Sequence, residues 1–239
     1  MKIEVWSDFV CPFCYIGKRR LEQALEQFPN REQVEVEFKS FELDPNASLY
    51  KGKSIHEALA KKYGMSVEEA KRANEGVGQQ AQSVGLEYDF EGMKPTNTFD
   101  AHRLSKYAKS VGKERELTEK LLHSYFTESK LLSDPETLAE IASSVGIGKD
   151  EALAVIQNPK EYANEVRNDE MQAQQYGATG VPYFVINQKY SISGAQPTEL
   201  FLNALQQVWE EEGNQPKLTN LSSDGEAVCD EDGCRIQEK

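Results

Sequence analysis

Apolar and polar positions alternate over Ile3-Glu4-Val5-Trp6. They alternate again where Val34, Val36 and Phe38 interleave with Glu35, Glu37 and Lys39. A period of two predicts two short strands. Between them, apolar residues fall at Ile16, Leu21, Ala24, Leu25 and Phe28, the spacing of one helix face, and Pro29-Asn30 ends the run. Ser7-Asp8-Phe9-Val10 reads as a loop. Residues 3–41 are therefore strand, loop, helix, strand. A helical connection between two strands favours parallel pairing.

From Asp44 to about Gly177 the pattern is helical. Ser54 with Glu57, and Ser66 with Glu69, have the spacing of capping boxes. Phe99, Leu104, Tyr107, Ala108 and Val111 form one apolar stripe; Leu117, Leu121, Leu122, Tyr125 and Phe126 form the next. Asp134-Pro135 places a capping residue before a proline at the first helical position, and Asn158-Pro159 reads as a second helix start of the same kind. Strand character returns at Val181–Ile186, with Tyr190–Ser193 able to pair back as a hairpin, and Pro197–Trp209 reads as a last amphipathic helix. The order βαβ, helical block, ββα predicts an α/β fold with a large all-helical insertion. The expected division is a discontinuous α/β unit over 1–45 and 177–213, an insertion over 46–176, and a polar, flexible tail over 214–239.

Composition narrows the function. With 27 Lys and Arg against 40 Asp and Glu, the net charge is −13. Such a surface repels nucleic-acid phosphates and anionic headgroups, so neither nucleic acid nor membrane is an expected partner. The 239 residues suit one domain with an insertion or two small ones, and four cysteines are too few for a disulfide-stapled scaffold. Met1-Lys2 leads directly into the first strand with no apolar secretory stretch, and the expected location is cytoplasmic.

The chemistry lies with the cysteines. Cys11-Pro12-Phe13-Cys14 sits between the first strand and the first helix. Free N–H groups and a partial positive charge at a helix start favour a thiolate. Cysteine pKa values in such places fall to about 3.5–7.5, from about 8.5 when free. Cys11 is expected to be the exposed nucleophile and Cys14 the shielded, resolving thiol, with Pro12 stiffening the turn and Phe13 tuning the potential. Zinc binding is the competing reading of two such pairs, with Cys229 and Cys234 as the second half. A long amphipathic helix after the motif argues against a zinc knuckle, and the expectation is no metal and no cofactor. Pro182, just before an apolar strand, cannot sit mid-sheet, and a cis Val181-Pro182 bond fits there. That proline would abut the dithiol, keep metal away, and leave the Val181 backbone free to pair with an extended substrate.

Three stretches together resemble the DsbA-like thioredoxin-fold family, and within it the FrnE-type cytoplasmic disulfide oxidoreductases: Asp8 to Gly17, Asn97 to Leu104 and Gly177 to Phe184. The resemblance implies a thioredoxin fold split by a helical domain, Cys11 as nucleophile, Cys14 as resolving thiol and Pro182 as the cis-proline. Exported DsbA proteins typically carry histidine where Phe13 stands, so a weaker oxidant is expected. Chromene-carboxylate isomerases and kappa-type glutathione transferases share the fold but generally have serine in place of Cys11. Asn97, Thr98 and His102 read either as a capped helix with a hydrogen-bonded histidine or as the lining of a cleft over Cys11. His56 and His123 look structural, and the glutamates of 22–37 and 114–119 look like solvated faces.

The expected function is reduction or isomerisation of protein disulfides. The expected partners are disulfide-containing proteins or low-molecular-weight thiols, with glutathione or a thioredoxin-like protein as electron donor. The Cys229-x4-Cys234 pair is a candidate electron relay; such pairs also occur in FrnE-like proteins, as the resemblance implies. A glutathione-dependent isomerase or transferase of the same fold, or a zinc-binding or chaperone-like module, are the alternatives.

Overall fold

The computed structural model describes residues 1–213 and, beyond them, the backbone of 228–230 and 233–235. Strand β1 (Lys2–Ser7) is followed by helix α1 (Pro12–Gln27) and strand β2 (Glu35–Ser40). Seven helices come next: α2 (Ile55–Tyr63), α3 (Val67–Gln82), α4 (Phe99–Ser110), α5 (Glu114–Phe126), α6 (Pro135–Ser144), α7 (Lys149–Gln157) and α8 (Ala163–Gln175). Strands β3 (Tyr183–Ile186) and β4 (Tyr190–Ser193) and helix α9 (Thr198–Gly213) follow. The sheet order is β2-β1-β3-β4, with β1 and β2 parallel and the other pairs antiparallel. This is the thioredoxin fold with a helical insertion.

Alternation along β1 divides its side chains between two environments. Ile3 and Val5 join Leu21 and Ala24 of α1, Phe28 at its C-cap, and Phe201, Leu205 and Val208 of α9 in one core. Trp6 faces the other way, with Tyr183, Val185 and Ala173 of α8. The polar residues between them on that face are buried as pairs: Lys39 lies 2.9 Å from Glu37 and 3.4 Å from Glu4. Helices α3 to α7 enclose a larger core that also takes in Phe9, Tyr15 and Ile16. Helix α1 thus lends one face to the sheet and another to the helical block, and its N-terminus lies where the two meet.

Both capping boxes form as the sequence predicts, and the Asp134 side chain accepts from the Thr137 amide at 2.8 Å. Asn158-Pro159 does not open a helix: Asn158 is the C-cap of α7, and α8 starts at Ala163 after Tyr162 at φ 57°. The cause is distant in sequence. The Arg103 guanidinium, 1 % exposed, donates to the carbonyls of Val155 (2.6 Å), Ile156 (2.8 Å), Asn158 (2.8 Å) and Glu161 (3.1 Å) and to Asp100. A cation at a helix C-terminus satisfies the carbonyls that the helix cannot, and here it folds residues 158–161 back upon it.

Three acidic residues read as solvated are not. Glu37 is buried and pairs with Lys2, Lys39 and Lys109, Glu114 is buried and accepts from the Phe38 amide at 3.2 Å, and the half-buried Glu119 pairs with Lys18, Arg19 and the Tyr15 hydroxyl. His56 is buried, with its Nδ1 3.0 Å from the Asn74 side-chain amide. No helix among the described residues is long and apolar enough to cross a membrane. In the tail, β5 (Val228–Asp230) and β6 (Gly233–Arg235) pair antiparallel with Cys229 opposite Cys234; their side chains lie outside the described residues.

Candidate active site

The loop after β1 delivers Cys11 to the N-cap of α1 with extended φ −91° and ψ 111°, and Pro12 takes the first helical position, where a missing N–H costs nothing. The Cys14 amide closes the first turn onto the Cys11 carbonyl at 3.0 Å. Both cysteines are free thiols.

The Cys11 side chain makes no cap hydrogen bond; its Sγ lies 3.5 Å from the Val181 carbonyl oxygen. The Val181–Pro182 bond is cis. Gly17, one turn further along α1, makes the approach possible: a Cβ there would stand 3.0 Å from Pro182 Cγ and 3.2 Å from Phe184 Cζ. The expectation of an exposed Cys11 is corrected by this packing. Cys11 is 5 % exposed because the Val181 segment covers it, whereas Phe13 is 37 % exposed on the rim.

Cys14 is 2 % exposed, and its Sγ accepts from the Asp8 amide at 3.5 Å. Burial, followed by its hydrogen bond with Cys11 and the charge there, pushes the Cys14 thiol well above the usual range. Folding therefore favours the protonated form. That stabilisation is fully present below the unfolded thiol value of about 8.5 and is lost as pH rises toward the folded value. Thermal melts of the reduced chain should thus decline more steeply above pH ~8.5 than those of the oxidised chain, whose Cys14 has no proton to lose. Equal slopes would contradict the burial argument.

Asn97, Thr98 and His102 sit at the start of α4. The Asn97 side chain accepts from the Phe99 amide at 2.9 Å, while Thr98 occupies the N-cap without a side-chain cap bond. His102 is 2 % exposed beneath the loop, its ring 4.8 Å from that of Phe9. The structure thus brings Cys11, Cys14, Pro12 and the Val181–Pro182 segment together, and places His102 under the loop rather than on an open wall.

Two contributors escaped the sequence reading. The Tyr88 hydroxyl donates to the Pro12 carbonyl at 2.8 Å, so the helical block touches the motif directly. Asp8, 1 % exposed, lies behind Cys14 with Oδ2 accepting from the Leu43 amide at 2.8 Å and Oδ1 3.4 Å from His102 Nε2. An acid in an otherwise apolar loop three residues before Cys11 was the available signal. Among the described residues no cluster of three or more His, Cys, Asp or Glu is disposed to hold a metal ion. Two surface grooves of about 390 and 400 Å³, one along α1 by Lys18 and one by His56, are lined by no cysteine.

A paired thiol at a helix start, facing the residue before a cis-proline on a thioredoxin sheet, defines a class of proteins. Residues 2–206 match the family model of the DSBA-like thioredoxin domain, and the chain belongs to that family. It is similar over its whole length to a probable DsbA oxidoreductase from Streptomyces coelicolor, with 40 % identity, 100 % of both chains covered and a TM-score of 0.87. At the level of fold it is similar to the cytosolic disulfide reductase DsbM from Pseudomonas aeruginosa solved with GSH (13 % identity, 87 % and 100 % covered, TM-score 0.61). The same holds for a 2-hydroxychromene-2-carboxylate isomerase (12 % identity, 91 % and 100 % covered, TM-score 0.66).

Proposed function

We propose that this chain is a thiol–disulfide oxidoreductase that reduces or isomerises protein disulfides through Cys11 and Cys14, in the manner of the FrnE-type branch. The observation that carries the reading is the Cys11 thiol at the N-cap of α1, one turn before the buried Cys14 and set 3.5 Å from the Val181 carbonyl. Cys14 is held as a thiol by burial until it is needed.

Cys11 attacks a substrate disulfide, releases one substrate thiol and holds the other as a mixed disulfide. Cys14 then displaces that second thiol. The Val181 carbonyl and the exposed Phe13 ring offer an extended substrate a backbone acceptor and an apolar contact beside the sulfur. Phe13 brings no positive charge to Cys11 and leaves it a weaker oxidant than a motif with histidine. A cytoplasmic setting suits reduction, and glutathione is the favoured donor; the DsbM neighbour, determined with GSH, supports that choice. The tail cysteines, Cys229 and Cys234, serve as a relay to the Cys11–Cys14 pair.

The test is insulin reduction and refolding of a scrambled disulfide substrate with glutathione as reductant. Catalysed turnover in either assay is expected, and a rate no greater than glutathione alone overturns the proposal. Serine at both Cys229 and Cys234 should lower turnover with glutathione; an unchanged rate removes the relay while leaving the Cys11–Cys14 reading intact.

A further inference from the structure

His56, in the first turn of α2, is 3 % exposed and lines the surface groove of about 400 Å³ between α2, α3 and the segment after α3. The side-chain N–H of Asn74, itself buried on α3, donates to His56 Nδ1 at 3.0 Å. A neutral imidazole whose Nδ1 accepts carries its proton on Nε2. Among the described residues that Nε2 has no hydrogen-bond partner. Buried donors are nearly always paired, and one left open invites an acceptor.

Glu91 comes close to filling the seat without securing it. Its Oε1 lies 3.3 Å from His56 Nε2 and 3.4 Å from Lys71 Nζ, in a direction too oblique for a hydrogen bond to the ring. The Glu91 side chain is 74 % exposed, so water competes for it at every other face. A carboxylate oxygen between an imidazole N–H and an ammonium is thus the group this position accepts, and the resident one is lightly held.

Beside that seat stands an apolar wall. Tyr88 and Phe90 line the groove with ring centroids 5.7 Å apart, edge to face. Tyr88 is fixed at both ends: its ring stacks on Phe126 at 4.6 Å, and its hydroxyl is tied to the Pro12 carbonyl. Gly78 of α3 faces Phe90 without a side chain, and a Cβ there would stand 3.5 Å from Phe90 Cε2. A wall already in place spares a ligand the entropy of ordering it. The volume falls within the range of small-molecule sites, about 300–1,000 Å³, where a few convergent polar groups orient an apolar body. Glu75 also lines the groove and opposes a second negative charge on the ligand.

We propose that this groove binds a small aromatic monocarboxylate, whose carboxylate replaces that of Glu91 between His56 Nε2 and Lys71 Nζ and whose ring lies against Tyr88 and Phe90. No cysteine lines the groove, and the site neither depends on the dithiol reading nor tests it.

The test titrates isotope-labelled full-length chain with 3-phenylpropionate and follows backbone amide and histidine-ring shifts by NMR. Saturable shifts centred on His56, Lys71–Gln82 and Tyr88–Glu91 are expected, with a Kd of about 1–5 mM for a probe of this size. Glu91→Gln, which removes the resident carboxylate, should tighten binding about threefold, and Lys71→Met should weaken it about threefold. His56→Leu should cost about tenfold, and His56→Gln, which keeps an N–H, should recover most of that. The uncharged 3-phenylpropanamide should bind about tenfold more weakly than the acid. Absence of saturable shifts up to about 20 mM, several times that Kd, overturns the proposal. So do shifts centred on Cys11 and Pro182 instead, equal binding of the amide, or a Kd that Glu91→Gln and Lys71→Met both leave unchanged. If His56→Leu does not fold, Glu91→Gln and Lys71→Met decide, since both of those side chains reach solvent.

Discussion

Replacing Cys11 with serine is expected to bring disulfide exchange down by on the order of a thousandfold, to the rate of the reductant alone. A hydroxyl at the N-cap of α1 meets the same unpaired N–H groups, but it stays protonated near neutral pH and attacks sulfur poorly. Cys14→Ser gives a different failure. Cys11 can still attack, so one substrate sulfur becomes bound, but no internal thiol displaces it. Intact mass measurement after mixing with a disulfide peptide should show a stable adduct on Cys14→Ser and none on Cys11→Ser. An adduct on both, or glutathione-dependent disulfide reduction that survives Cys11→Ser, would assign the attack to another group.

Arg103→Leu is expected to produce the largest loss of stability. The side chain is buried, and its removal leaves the carbonyls of Val155, Ile156, Asn158 and Glu161 without their donor. Removing one member of a buried charged network costs about 3–5 kcal/mol. For a chain of this size each kcal/mol shifts the midpoint by about 2–4 °C, so a fall of roughly 10 °C is expected in a thermal melt. Arg103→Lys should recover part of it, since an ammonium keeps the charge but not the planar fork whose Nη1 reaches the carbonyls of Val155, Asn158 and Glu161 and whose Nη2 reaches that of Ile156. A fall of less than about 2 °C for Arg103→Leu would show that water replaces the guanidinium freely.

The sheet strands and most helices were legible because their signals are local. The alternation of β1 and β2, the capping boxes at Ser54 and Ser66, and Asp134-Pro135 each depend on residues a few positions apart. Asn158-Pro159 was misread because the group that decides its conformation, Arg103, lies on another helix. The burial of Cys11 was hidden for the same reason: it depends on how closely Gly17 lets the Pro182 segment approach. Asp8 was read as a loop residue because nothing near it in sequence reveals His102 on α4 or the Leu43 amide after β2. Periodicity reports which side of an element is covered, and not which distant group covers it.

Helix α1 is shared property: Tyr15 and Ile16 belong to the core of the insertion, while Leu21 and Ala24 belong to the core of the sheet. Neither half can melt while the other stays whole without one rod losing its bed. Heating or denaturant should therefore take both halves through a single cooperative transition, and the sulfur chemistry at the tip of that rod should vanish with it rather than before it.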